Sequence, residues 1–79
     1  MLIQSDFERH GFFLQDVKST SKFYIRPTGA FFKDIELEVV KSHKRTNKIN
    51  LYIGKQFLTS EVMWSPEQLR QFLLLHKVI

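Results

Sequence analysis

The side chains most able to do chemistry in this 79-residue chain cluster between Glu38 and Glu61, where Lys41, Lys44, Arg45, Lys48 and Lys55 occur with no acidic residue among them. Cations gathered without carboxylates suit an anionic partner. A phosphodiester backbone is the anion that Lys and Arg position without reading base sequence. Tyr52 in the same window, and Tyr24 upstream, offer ring faces on which a single-stranded base could stack. The competing reading is a solvated surface, because hairpin tips are polar and lysines on sheet edges discourage pairing with other chains.

Other constellations point away from catalysis. His10, His43 and His76 are far apart and form no His-x-x-His or Glu-x-x-His pair, so they lack metal-ligand spacing. His10 and His76 fall where helices should end, and a partial positive charge there suits the helix dipole. Asp34, Glu36 and Glu38 resemble a catalytic or metal-binding carboxylate set, but their alternation with apolar residues makes them the polar side of a strand. Gly54-Lys55 lacks the upstream Gly and the following Ser or Thr of a phosphate-binding loop. No nucleophile elbow is present. Cys is absent, which excludes disulfides, thiolate chemistry and Cys-based metal sites. Neither catalysis, cofactor nor metal is expected.

Composition sets the frame for these side chains. Hydrophobic residues make up 43% and charged residues 25%, ordinary globular usage, and eight Phe supply the bulk from which so short a chain can build a core. The net charge of +4 favours nucleic acid, an anionic membrane surface or an acidic protein as partner. The opening Met1–Asp6 has no basic or apolar leader character, and no stretch approaches the ~18 apolar residues of a membrane span. The expectation is one cytoplasmic domain over residues 1–79, without a membrane segment.

The positioning elements follow from local pattern. Ser5-Asp6-Phe7-Glu8 has the form of a capping box with Ser5 at N-cap, and Gly11 stands where a short helix would close. Phe12–Val17 and Lys22–Arg26 read as a hairpin around the polar Lys18-Ser19-Thr20-Ser21. Pro27, Thr28 and Gly29 then interrupt the chain before a Phe31-Phe32 pair. Ile35, Leu37 and Val39 alternate with Glu36 and Glu38, and Ile49, Leu51 and Ile53 alternate with Asn50 and Tyr52. Gln56–Met63 is either a short strand or an extended connection. Trp64 at N′, Ser65, Pro66, Gln68 and Leu69 combine a staple, a cap and a helix-initiating proline.

Register in the second hairpin follows from the same alternation. The two apolar sets share a face only if paired residue numbers have an even sum, which requires a loop of odd length. A three-residue loop of Arg45, Thr46 and Asn47 is the shortest solution, with Asn47 in the left-handed position and Lys44 opposite Lys48. Like charges so placed repel, and a bound anion would relieve them.

The opening third, a capped helix, His10-Gly11-Phe12, a strand, a polar turn and a strand ending Ile25-Arg26-Pro27, is similar in outline to small toxin ribonucleases of the HicA family. That family carries a catalytic His near the first hairpin, whereas Lys18–Ser21 contains none, so no catalytic residue carries over.

The architecture implied is α+β: a short N-terminal helix, an antiparallel sheet of four to five strands built from two hairpins, and a C-terminal helix packed on one face. The functional expectation is a non-catalytic binding module contacting nucleic acid phosphates through Lys41, Lys44, Arg45, Lys48, Tyr52 and Lys55. The alternative is an adaptor or inhibitor, monomeric or homodimeric, that docks on a protein through a sheet edge or the C-terminal helix, where Leu74 lies outside the apolar stripe.

Overall fold

Two apolar triplets decide the register on which everything else is laid. In the computed structural model, which describes residues 1–27 and 33–79, Ile35 pairs with Ile53, Leu37 with Leu51 and Val39 with Ile49. The elements in chain order are α1 (Gln4–Glu8), β1 (Phe13–Val17), β2 (Ser21–Arg26), β3 (Ile35–Lys41), β4 (Asn47–Ile53), β5 (Gln56–Met63) and α2 (Pro66–Leu75). All five strands form one antiparallel sheet in sequential order, so each is joined to its spatial neighbour. The Thr28-Gly29 break and the Phe31-Phe32 pair lie outside the described residues.

The even-sum rule holds, but the loop is longer than the economical one. Lys41 pairs with Asn47, leaving Ser42–Thr46 as a five-residue loop. A three-residue loop would set Leu37 opposite Lys55, Leu51 opposite Lys41 and Ile49 opposite His43, leaving Val39 with Ile53 as the one pairing between the two triplets. Packing therefore outweighs the shorter connection. Lys48 faces Val40, not Lys44. The left-handed loop residue is Lys44, with φ 55°, while Asn47 belongs to β4. The loop closes on itself through Ser42 N–H to Thr46 O at 3.1 Å, with Thr46 Oγ1 donating to His43 O at 2.6 Å.

One sheet face is covered by both helices. Tyr24, Leu37, Val39, Ile49, Leu51 and Met63 meet Leu2, Phe7 and Phe12 from the N-terminal region and Leu69, Phe72, Leu73 and Val78 from the C-terminal region in a single core. Phe7 stacks on Tyr24 with ring centroids 4.3 Å apart. Gln56–Met63 is a full eight-residue strand, reached through a two-residue turn in which Gly54 and Lys55 both have positive φ, 57° and 67°. Those angles fit the primed turns that match strand twist.

The helix ends carry the clearest local signals. α1 begins two residues earlier than the Ser5 cap implied. Asp6, not Glu8, occupies N3, and its carboxylate accepts from Ile3 N–H at 2.8 Å. Phe12 N–H to Phe7 O and Gly11 N–H to Glu8 O form a Schellman closure, with Gly11 at φ 83° as the residue type demands. At α2, Ser65 Oγ accepts from Gln68 N–H and Gln68 Oε1 accepts from Ser65 N–H, a complete capping box. Trp64 remains 58% exposed, so Leu69 is buried by the sheet rather than by a staple.

α2 ends in the same Schellman pattern, Val78 N–H to Leu73 O and Lys77 N–H to Leu74 O, but the left-handed residue is Lys77 at φ 58°. A side chain there is disfavoured where glycine is not. Lys77→Gly should stabilise the fold by about 0.5–1 kcal/mol, read as a higher urea midpoint at unchanged m-value; an unchanged or lowered midpoint would show that Lys77 bears no strain.

Candidate nucleic-acid interface

Strand pairing, not sequence proximity, determines which cations meet. Because Lys22 pairs with Val39 and Ser21 with Val40, the β1–β2 turn and the β3–β4 loop emerge at the same end of the sheet. Lys18, Lys22, Lys41, Lys44, Arg45 and Lys48 all lie at that end. None of these six has a carboxylate within 4.0 Å among the described residues. Lys18 lies over the Phe23 ring at 5.0 Å from its centroid and shares a shallow hollow with Asp16 and Glu36 on the uncovered face, so it belongs least to the cationic end.

The residues singled out from sequence are divided by this geometry. Lys41 is on the helix-covered side with Val39, Lys48 is on the uncovered side with Val40, and Lys44 and Arg45 occupy the loop between them. Lys55 is in the turn after β4, at the opposite end of the sheet, roughly 20 Å away at ~3.4 Å per residue. Lys18 and Lys22 join the group from the first hairpin, a contribution invisible to a reading confined to the second. The hint was the lack of acidic residues from Val17 to Pro27, which gains meaning only once β2 is paired with β3.

Neither tyrosine is a free stacking platform. Tyr24 is 2% exposed beneath Phe7 and is core. Tyr52 belongs to the uncovered face, where its hydroxyl donates to Glu38 Oε1 at 3.1 Å and its ring meets Phe57 edge-on at 5.8 Å. Asn50 Nδ2 donates to the same Glu38 oxygen at 3.0 Å. Burial, then the hydrogen bond to Glu38, then the charges of Glu38 and Glu36 push the Tyr52 phenol above its ordinary range. A base stacked on Tyr52 would bring phosphate toward these two carboxylates. Glu36 and Glu38 thus supply the wet side of β3, as the alternation implied, with Glu38 bonded to neutral groups.

The histidines do not converge. His43 is exposed in the β3–β4 loop, and His76 caps α2 with its ring edge-on to Phe72 at 4.9 Å. Among the described residues no group of three His, Asp or Glu could hold a metal ion. His10 follows α1 as expected, but desolvation, then the charges of Arg9, Arg70 and Arg26, lower its pKa against a smaller opposing effect of Asp6. The neutral imidazole is favoured there, so it adds no positive charge to the helix end.

No known protein family, curated protein or solved structure matches the chain.

The His10 shift has a definite sign. Its folded value lies below the ordinary 6.5, so the unfolded chain takes up the proton first. The resulting contribution is fully present above pH 6.5 and is lost as the pH falls below it. The stability of wild type minus that of His10→Asn should therefore fall on acidification from pH ~7.5 to ~5. Urea midpoints of both proteins at the two pH values check this, and a difference that grows on acidification would contradict it.

Proposed function

We propose that the protein is a non-catalytic module that holds nucleic acid phosphates at the cationic end of its sheet. One observation supports this reading: Lys18, Lys22, Lys41, Lys44, Arg45 and Lys48 lie at one end of the sheet, from two hairpins, without a carboxylate within 4.0 Å of any of them among the described residues. Lys44 and Lys48 do not oppose each other, since Lys48 faces Val40. Lys55, at the far end, and Tyr52, held beside Glu38, are outside the proposed contact. Contacts of Lys and Arg with phosphate are independent of base sequence and weaken as counterions are added.

A second reading has its own support. β5 is the last strand of the sheet, contains Glu61 as its single charged residue, and leaves Phe57, Leu58 and Val62 between 52% and 59% exposed. A long edge with little charge accepts an added strand from a partner protein. Leu75 of α2, 74% exposed, adds apolar surface of the kind such docking uses.

Salt separates the two. Binding of a duplex oligonucleotide should weaken with log salt, and Lys44→Gln/Arg45→Gln should flatten that slope by about 0.9 per cation removed, while Lys55→Gln leaves it unchanged. Strand docking at β5 should tolerate salt and fail with Val62→Lys. Absence of oligonucleotide binding at low salt, or a slope sensitive to Lys55 and not to Lys44 and Arg45, would defeat the phosphate reading.

A further inference from the structure

A half-open cavity of about 240 Å³ lies where the N-terminal segment crosses the cationic end of the sheet. Leu2, Phe7, Tyr24 and Val39 contribute apolar surface, and Lys22 and Lys41 line it as the cationic residues of β2 and β3 on the helix-covered side, whereas Lys18 turns its ammonium to Phe23 on the other face. Asn47 completes it. Asn47 occupies the helix-covered side of β4 in alternation with Ile49 and Leu51, is 7% exposed, and its Oδ1 is buried with no hydrogen-bond partner. A buried polar atom without a partner carries its desolvation cost uncompensated, which makes it an exception in folded proteins. An apolar side chain would suit the position better if packing were its sole role.

Three properties therefore coincide in one place: apolar walls, two lysines and an unsatisfied amide oxygen. The volume falls below the roughly 300–1,000 Å³ typical of sites for drug-sized ligands. It suits one ring-sized group, with any charged part left at the lysines. Asn χ2 is broad and two-fold, so the amide can turn either atom to a guest, accepting from one N–H and donating to a neighbouring acceptor. That donor–acceptor pair matches a nucleobase edge.

We propose that the cavity binds one nucleotide, with its base among Leu2, Phe7, Tyr24 and Val39, its edge hydrogen-bonded to Asn47, and its phosphate on Lys22 and Lys41. This rests on the phosphate reading for the anion and adds base recognition to it. The nucleotide comes either free or as an unstacked residue of a bound single strand, and the chemistry is common to both.

Amide and side-chain NMR spectra of the full chain test the assignment. The four nucleoside 5′-monophosphates, a short single-stranded oligonucleotide, inorganic phosphate and octanoate are titrated separately. At least one nucleotide should move the Asn47 side-chain amide together with Leu2 and Val39, and inorganic phosphate should not. Asn47→Leu, which fills the position with an apolar group of similar size, should fold at least as stably and lose the preferred base by about tenfold or more. The salt slope of oligonucleotide binding should survive that substitution. Shifts from mononucleotides identify a free ligand, and shifts from the oligonucleotide alone identify a strand; either supports the site. If octanoate binds more tightly than every nucleotide, or Asn47→Leu leaves all affinities unchanged, the nucleotide assignment is wrong. If oligonucleotides bind with their salt slope while Asn47 is unmoved, this site falls and the phosphate reading stands. If no nucleotide or oligonucleotide binds, both fall.

Discussion

The direct opposition of Ile35, Leu37 and Val39 to Ile53, Leu51 and Ile49 is the constraint from which the rest of the molecule follows. These pairs bury one face of β3 and β4, and a side-chain period of two leaves no freedom in what the other residues do. Glu36, Glu38, Asn50 and Tyr52 must then face away from the helices, and Asn47 must face toward them. The same register sets the loop at five residues and places Lys44 and Arg45 beyond the sheet edge. A slip of one residue would expose the triplets and bury the carboxylates.

Much of this was legible because it is local. Alternation located β3 and β4, Gly11 marked the end of α1, and Ser65-Pro66 with Gln68 marked the start of α2. Parity of the second hairpin was also readable, since it needs only the rule that apolar residues share a face. Loop length was not, because it is settled by which of several even-sum registers packs best, and that compares energies across strands. Gln56–Met63 was ambiguous for a related reason: Phe57, Leu58 and Val62 are exposed along an edge strand, so the alternation that betrays a half-buried strand is blurred.

The candidate site was legible only in part, and the missing part is topological. A linear window finds Lys41, Lys44, Arg45 and Lys48, but also collects Lys55, which the β4–β5 turn carries to the other end. It overlooks Lys18 and Lys22, which the pairing of β2 with β3 brings back. Tyrosines suffer the same blindness. Tyr24 and Tyr52 both sit in strands, yet pairing Tyr24 with Leu37 and Tyr52 with Glu36 assigns one to the core and the other to a face occupied by carboxylates. Side-chain type proposes a role, and the face disposes of it.

Lys44, Lys55 and Lys77 all adopt positive φ, at 55°, 67° and 58°, where glycine or asparagine would cost less. At Lys44 this strain falls on a cation of the β3–β4 loop. The other two share it at separate places, one in a tight turn and one at a helix end, so strained lysine is a habit of this chain's turns and carries no functional weight. Asn47 differs in kind. It is neither in a turn nor on the wet side, and the register that buries it is fixed by Ile49 and Leu51 beside it, so its unpaired oxygen is not explained by local geometry. The polar group that the core does not need is the one that asks for a ligand.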